Sequence, residues 1–123
     1  MTAARKKTSN PGLDFAMELA ERVQNKKGED TLILDLQKVG TIADFLILTS
    51  VDSAPQLRAI SEDMRLYAKK KFGWKVVPEG SYDSQWIILD LGPAILHVMD
   101  KEMRNYYKLE DIWSQGAATA YYL

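Results

Sequence analysis

The segment from residue 85 to residue 113 restricts the possible folds of this chain more than any other part of it. Two apolar runs, at residues 86–89 and 94–99, flank a four-residue loop that contains a glycine and a proline. Short apolar runs separated by such a loop predict a β-hairpin. Apolar and aromatic residues at helical spacing follow, and they predict a helix from residue 101 to about residue 112.

The rest of the chain predicts an α+β protein with an α/β/α layered arrangement. Apolar stripes at helical spacing indicate one helix that opens at residue 10 and a second that opens at residue 53. Nearly continuous apolar runs at residues 31–36 and 45–49 predict strands that are covered on both faces. Residues 74–77 predict a further strand. Together with the hairpin, these elements predict a mixed five-stranded sheet flanked by helices.

Local signals predict where the first two helices begin and end. Asn10 is the expected N-cap of the first helix, and Gly28 is the residue expected to stop it. Ser53 and Gln56 have the spacing of a capping box at the start of the second helix. Gly73 is expected to end that helix, after a run of lysines that suits the negative end of the helix dipole.

The length of 123 residues suits one domain. We expect that domain to span residues 10–113, after a flexible N-terminal segment at residues 1–9 and before a C-terminal tail at residues 114–123. The chain has no cysteine, which excludes a disulfide scaffold and any cysteine-based metal site or nucleophile. No run approaches the ~20 apolar residues of a membrane helix, and no signal peptide is evident, so a cytoplasmic location without membrane contact is expected.

Charge is unevenly distributed along the chain. The net charge of −1 gives no reason to expect nucleic acid as a partner, least of all through sequence-specific contacts. Residues 79–111 nevertheless carry seven acidic and three basic side chains, together with several aromatic residues. An acidic surface with aromatic anchors would suit a basic protein partner, and a solvated surface without a partner is the other interpretation. The lysines at residues 69–71 fit the end of a helix better than a phosphate site.

The residues typical of catalysis or metal binding do not form a recognisable motif. His97 is the only histidine, and one histidine cannot hold a zinc ion without further ligands. The sequence lacks glycine-rich phosphate loops and the Asp-x-Asp spacing that places two carboxylates on one face of a strand. We therefore expect no cofactor, no metal and no enzymatic activity. His97 is expected on the opposite strand face from Leu96 and Val98, hydrogen-bonded across the sheet or at an interface.

Several blocks of residues carry a resemblance to a known family. They read IADFLILTS at residues 42–50, WIILDLG at 86–92, LHVM at 96–99 and YKLEDIW at 107–113. Over residues 13–113, the chain resembles the Iojap family, also called RsfS or ribosomal silencing factors. The resemblance implies a fold similar to nucleotidyltransferases without their catalytic carboxylates. It also implies a homodimer that binds the universal large-subunit ribosomal protein numbered fourteen, blocks joining of the small subunit and represses translation.

The resemblance also implies candidate site residues. Trp86, Leu91 and Tyr107 match positions at which the family docks on the ribosomal protein, and they are expected to line one surface. Six further residues match other positions of the family motifs, and the resemblance leaves their roles open. These residues are Glu79, Asp90, Gly92, His97, Glu110 and Trp113.

The chain departs from the family pattern in places, and two other functions stay open. Residues 51–52 replace a glycine-rich turn, Pro55 replaces a common arginine, and residues 93–94 replace the usual Asp-Val after the hairpin glycine. The alternatives to a silencing factor are a divergent enzyme of the nucleotidyltransferase fold and a general dimeric scaffold protein. The missing motifs weigh against the enzyme, and the match of the hairpin and helix weighs against the scaffold.

Overall fold

A computed structural model describes residues 8–38, 43–81, 83, 85–108 and 118–122, with the backbone alone for residues 107 and 118–122. The elements in chain order are α1 (Pro11–Asn25), β1 (Glu29–Asp35), β2 (Phe45–Val51), α2 (Ala54–Phe72), β3 (Trp86–Leu91), β4 (Ala94–Asp100), α3 (Lys101–Tyr107) and β5 (Ala118–Tyr122). The α+β class is therefore confirmed. Helix α3 begins at the predicted residue but ends earlier than predicted, at Tyr107, because Lys108 adopts a left-handed conformation with a φ of +50° and its N–H donates to the Arg104 carbonyl. Residues 109–112, which were also predicted to be helical, lie outside the described part of the chain.

The strands form one mixed sheet in the order β3-β4-β2-β1-β5. Strands β2 and β4 run parallel, with Phe45 opposite Ala94, whereas every other neighbouring pair is antiparallel. A parallel pair requires a crossover connection, and the chain between β2 and β4 supplies one that includes α2. The predicted hairpin is confirmed as β3 and β4, with Leu91 opposite Ala94 across a two-residue loop.

One predicted strand is wrong. Four of the five predicted strands are present as β1 to β4, but residues 74–77 form no strand. The left-handed cap of α2 at Gly73 turns the chain, and Trp74 stacks on the last residue of the helix. Glu79 pairs with the outer edge of β3 instead, and its backbone exchanges two hydrogen bonds with Ile88. Strand β5 pairs with β1 at the opposite edge, in residues that were expected to form a C-terminal tail.

Helices α1 and α2 cover one face of the sheet, and α3 packs at the end of the other. We call the sheet face that α1 and α2 cover the α1–α2 face. There the apolar stripes of both helices pack against inward side chains of four strands. The largest buried residues there are Leu19, Ile33, Phe45, Ile47, Leu57, Ile60, Met64, Ile87, Leu89 and Leu91. The second, the α3 face, buries Leu32, Leu34, Leu46, Leu48 and Met99. Strand β2 lies in the middle of the sheet and is buried on both faces, as its continuous apolar run predicted.

Side-chain capping confirms both predicted helix starts. Asn10 accepts a hydrogen bond at 3.2 Å from a backbone N–H in the first turn of α1, and Ser53 accepts one at 3.3 Å from the Gln56 N–H. The Gln56 carboxamide oxygen accepts from the Asp52 N–H at 2.9 Å, one residue before the cap, in a variant of the capping box. Its NH2 group donates to the Lys27 carbonyl at 2.6 Å, which ties the start of α2 to the end of α1.

A buried arginine fixes α3 to the sheet. Arg104 is only 7% exposed, and its guanidinium donates to the Asp30 carbonyl at 2.6 Å and to the Ser50 hydroxyl at 2.9 Å. Lys101, at the start of the helix, forms an ion pair with Asp52 at 2.7 Å. Asp52 departs from the family pattern, and here it connects the end of β2 to α3. These contacts position the side chains that α3 presents next to the sheet.

Candidate functional site

Trp86 begins β3 at the outer edge of the sheet. Strand alternation directs its side chain onto the α3 face, where it is half-buried and packs at the cluster of Leu48 and Met99, together with Met103 of α3. The structure thus places Trp86 at the sheet margin, as expected. A half-buried tryptophan has a fixed orientation and an open apolar surface, which are the properties of an interface anchor.

A groove opens beside this tryptophan. Its volume is about 400 Å³, and it is lined by Glu79, Gly80, Trp86, Ile88 and Met103. Its apolar part consists of two alternate residues of β3, Trp86 and Ile88, and Met103 from the first turn of α3. Glu79 is exposed, and hydrogen bonds of 2.8 and 3.0 Å to the Ile88 backbone hold it in place. This surface, which we call the Trp86 groove, combines an apolar floor with a carboxylate.

His97 orients the Trp86 ring. The indole Nε1–H of Trp86 donates to His97 Nδ1 at 3.0 Å, between neighbouring strands on the α3 face. Burial lowers the pKa of His97 from 6.5 to about 4, because desolvation disfavours the charged imidazolium. The nitrogen that accepts the hydrogen bond must also be unprotonated, so both effects keep the ring neutral. The predicted placement of His97 opposite Leu96 and Val98 is confirmed, as is its hydrogen bond across the sheet.

Asp90 and Gly92 shape the loop of the β3–β4 hairpin. The Asp90 carboxylate accepts a hydrogen bond from the Gly92 N–H at 3.0 Å, and Gly92 has a φ of +78°, which residues with a side chain adopt only with strain. The carbonyl of the next residue, Pro93, accepts hydrogen bonds from the Asp44 and Phe45 N–H groups at 3.0 Å. These contacts give Asp90 and Gly92 structural roles, and they tie the loop to the start of β2.

The structure separates residues that were expected to line one docking surface. Trp86 lies on the α3 face, but Leu91, five positions along the same strand, lies on the α1–α2 face and is 1% exposed. The expectation that Leu91 shares a surface with Trp86 is therefore wrong, because strand alternation directs their side chains to opposite faces. Tyr107 is the last residue of α3, and its side chain lies outside the described residues, as do Glu110 and Trp113.

Three residues that shape the site were not among the expected ones. Ile88 lies two positions after Trp86, so strand alternation was sufficient to place it on the same face. Met103 had no comparable signal, because helical spacing alone does not show which side of a short helix meets the sheet. Arg104 was missed because arginine is usually exposed, and no local pattern marks this one as buried.

The chemistry of the Trp86 groove suits binding. Its lining offers apolar contact, an indole ring and an exposed carboxylate, and such surfaces bind protein partners by burying apolar area and pairing charges at the rim. The described residues contain no group of three or more His, Asp or Glu side chains that could hold a metal ion. None of the described helices is long and apolar enough to cross a membrane.

The fold and this groove define a small α+β protein with a surface suited to contact with another macromolecule. Comparison with known families makes the assignment specific. A family model described as "Ribosomal silencing factor during starvation", RsfS, matches residues 9–121. The chain belongs to this family, and the resemblance found in its motifs is confirmed.

Individual relatives agree with the family assignment. The ribosomal silencing factor RsfS of Bacillus subtilis is 31% identical over 97 residues, which cover 79% of this chain and 82% of the relative. The chloroplastic protein Iojap of Arabidopsis thaliana is 34% identical over 104 residues, which cover 85% of this chain and 43% of the relative. A crystal structure of a Chromobacterium violaceum protein has a TM-score of 0.76 at 26% identity and covers 91% of this chain and 94% of that one.

Proposed function

We propose that this protein binds the large ribosomal subunit through the universal ribosomal protein numbered fourteen, and thereby blocks joining of the small subunit and represses translation. Its membership in the ribosomal silencing factor family supports a role on the ribosome. The observation that carries the docking step is the Trp86 groove, which combines a half-buried aromatic anchor with an open apolar floor. Anchors of this kind supply much of the binding energy of protein interfaces.

Charge near the groove suits a basic partner. Glu79 lines the groove, Asp90 lies on the same face of β3 as Trp86, and Glu102 precedes the lining residue Met103 on α3. All three carboxylates are exposed. Complementary charges of this kind speed the encounter and fix the orientation of the partner more than they raise affinity. We therefore expect the association rate to fall as salt is added.

In this proposal the protein acts by occupying a ribosomal surface in the cytoplasm, without catalysis, cofactor or metal. A nucleotidyltransferase-like fold stays a prediction, and none of the described contacts favours the enzymatic alternative. Incubation with labelled nucleotides, magnesium and candidate acceptors should leave no product. If the protein converts nucleotides and an Asp90→Asn change abolishes this activity, the enzymatic alternative is correct and the proposal is wrong.

Replacing Trp86 with alanine is expected to weaken binding to the isolated ribosomal protein by about 2 kcal/mol or more, which is roughly thirtyfold in affinity. The change removes the anchor from the groove and leaves the buried Leu48 and Met99 partly uncovered. Calorimetry with the purified ribosomal protein measures the affinity, and urea unfolding of the free variant measures any cost to stability. Sedimentation with each purified ribosomal subunit should show that the unaltered protein binds the large subunit and not the small one.

Trp74→Ala is the matched control for this experiment. Trp74 is also partly exposed, but it packs against Phe15 and Phe72 and does not line the Trp86 groove. Its truncation should leave the affinity for the ribosomal protein unchanged. Full binding by Trp86→Ala, or equal binding of the unaltered protein to both subunits, would contradict the proposed docking surface.

We also propose that the protein forms a homodimer at micromolar concentration. Strand β3 is an edge strand, and Glu79 pairs with its outer side at Ile88 through a single bridge. Edge strands commonly pair with another chain. Light scattering at rising concentration should give twice the chain mass of 14.0 kDa, and the monomer mass at high concentration would reject the dimer.

A further inference from the structure

The end of α2 and the segment after it form a basic surface on an otherwise acidic chain. Residues 64–78 contain five basic side chains and no acidic one, whereas the rest of the chain carries eleven basic and seventeen acidic side chains. The net charge of −1 is therefore made up of a charge of +5 in residues 64–78 and a charge of −6 in the rest of the chain. Such a separation creates a positive potential at one place on the protein.

Three of these lysines have no acidic partner in the described part of the chain. Lys69, Lys70 and Lys75 are exposed and form no ion pair there. Carboxylates on the two helices pair with other cations, as Asp63 does with Arg22 at 2.9 Å. The helix dipole accounts for part of the cluster only, because its effect is confined to the last turn and Lys75 lies beyond the helix.

Trp74 provides an aromatic platform beside these lysines. Gly73, with a φ of +73°, turns the chain so that the Trp74 N–H donates to the Ala68 carbonyl at 3.3 Å. The indole ring stacks on Phe72 with ring centroids 4.6 Å apart, and Phe15 makes an edge contact with it at 6.0 Å. These two ring contacts hold the indole in place. The residue is 37% exposed, so part of it stays open. A fixed and open aromatic ring is a stacking surface for a base.

The basic surface continues into a groove between α1 and α2. The groove has a volume of about 510 Å³ and is lined by Arg22, Asp63, Leu66, Tyr67, Lys70 and Lys71. Asp63 pairs with Arg22, and Glu18 pairs with Lys71, so Lys70 is the lining cation that forms no ion pair among the described residues. Leu66 is 53% exposed, and the Arg22 guanidinium lies over the Tyr67 ring at 4.1 Å from its centre. Both helices cover the α1–α2 face, so this groove is on the opposite side of the sheet from the Trp86 groove.

We propose that Lys69, Lys70, Trp74 and Lys75 form a surface that binds single-stranded RNA without sequence preference. The lysines pair with phosphates, and one base stacks on the open part of Trp74. Cations that pair with phosphates, combined with an aromatic ring on which a base can stack, are what single-stranded nucleic acid requires, and an acidic protein segment is the alternative that competition with polyglutamate tests. The proposal does not rest on docking to the ribosomal protein, because it concerns a separate surface.

Fluorescence anisotropy with a labelled single-stranded RNA of about twelve nucleotides measures this binding without ribosomes. A variant with Lys69, Lys70 and Lys75 all replaced by glutamine is expected to bind about tenfold more weakly, or worse, at low salt. The slope of log affinity against log salt should become shallower by about 2, because each phosphate contact on a single strand contributes about 0.7.

A second lysine triple is the matched control. Lys27, Lys38 and Lys108 are exposed elsewhere on the protein, and replacing them with glutamine makes the same change in net charge. This variant should bind RNA as the unaltered protein does. Trp74→Leu should weaken binding without changing the salt slope, because it removes stacking and no charge. Trp86→Ala should bind RNA normally, which separates this site from the docking surface.

Equal losses in the two lysine triples would mean that net charge alone holds the RNA, and would overturn the proposal. The same conclusion would follow if the unaltered protein bound no RNA at low salt, or if polyglutamate displaced the RNA as well as unlabelled RNA does. Circular dichroism and urea unfolding check that each variant is folded. If Trp74→Leu is unfolded, Trp74→Phe, which keeps an aromatic ring, should retain most of the binding and the full salt slope.

Discussion

Replacing Leu91 with alanine is expected to lower the free energy of unfolding by about 2–5 kcal/mol. Leu91 is 1% exposed and belongs to the core between the sheet and helices α1 and α2. Removal of its branched end leaves a cavity, and closely packed neighbours relax only partly into such a space. Urea unfolding monitored by circular dichroism gives the midpoint, which should fall at an unchanged slope.

Leu66→Ala is the matched comparison for Leu91→Ala. It removes the same atoms from a side chain that is 53% exposed on α2, so the free energy of unfolding should change by no more than about 0.5 kcal/mol. Under conditions in which both variants are folded, both should bind the ribosomal protein like the unaltered protein. If Leu91→Ala instead kept its stability and lost binding, Leu91 would belong to the docking surface and its placement in the core would be wrong.

Acid is expected to destabilise the protein through His97. The unfolded chain binds a proton at this residue near the ordinary pKa of 6.5, whereas burial lowers the pKa in the folded protein to about 4. Between those two values the unfolded state holds more protons, so stability is lost as the pH falls from 6.5 toward 4 and is fully present above 6.5. A pKa shift of this size corresponds to about 3 kcal/mol of unfolding free energy.

His97→Gln isolates this contribution. The glutamine amide offers an oxygen to the Trp86 N–H but does not titrate, so the variant should lose about 3 kcal/mol less stability than the unaltered protein over the same pH range. Unfolding midpoints in urea at a series of pH values measure the difference, and carboxylates that titrate in both proteins cancel in the comparison. If acid lowers the free energy of unfolding equally in the two proteins, His97 is not the cause of the destabilisation.

Interactions within a few residues were predictable from the sequence. The caps at Asn10 and Ser53 and the helix stop at Gly73 depend on backbone groups of the adjacent turn, so the order of residue types is sufficient to place them. The hairpin loop at Gly92 is equally local, because it requires a residue that tolerates a positive φ. Strand alternation correctly placed His97 on the face opposite its neighbours.

The candidate site was predictable in part. Trp86 was expected at the sheet margin and is found there, with the neighbouring His97 as its hydrogen-bond partner. Leu91 was grouped with it through the family motif, although strand alternation alone separates the two faces. Met103 enters the groove only because the Arg104 contacts fix how α3 lies against the sheet, and these contacts reach residues far away in the sequence.

Periodicity, capping signals and residue order along the chain were sufficient to predict the α+β class, helices α1 and α2, strands β1 to β4 and the family. The segments that lie at the two edges of the sheet, in contrast, depend on contacts between distant parts of the chain. Residues 74–77 have strand-forming composition, but the left-handed Gly73 and the stacking of Trp74 give them another arrangement. Ala118–Tyr122 forms a strand because it meets the free edge of β1. Edge pairing is a contact between distant segments, and no local pattern encodes which segment reaches an edge.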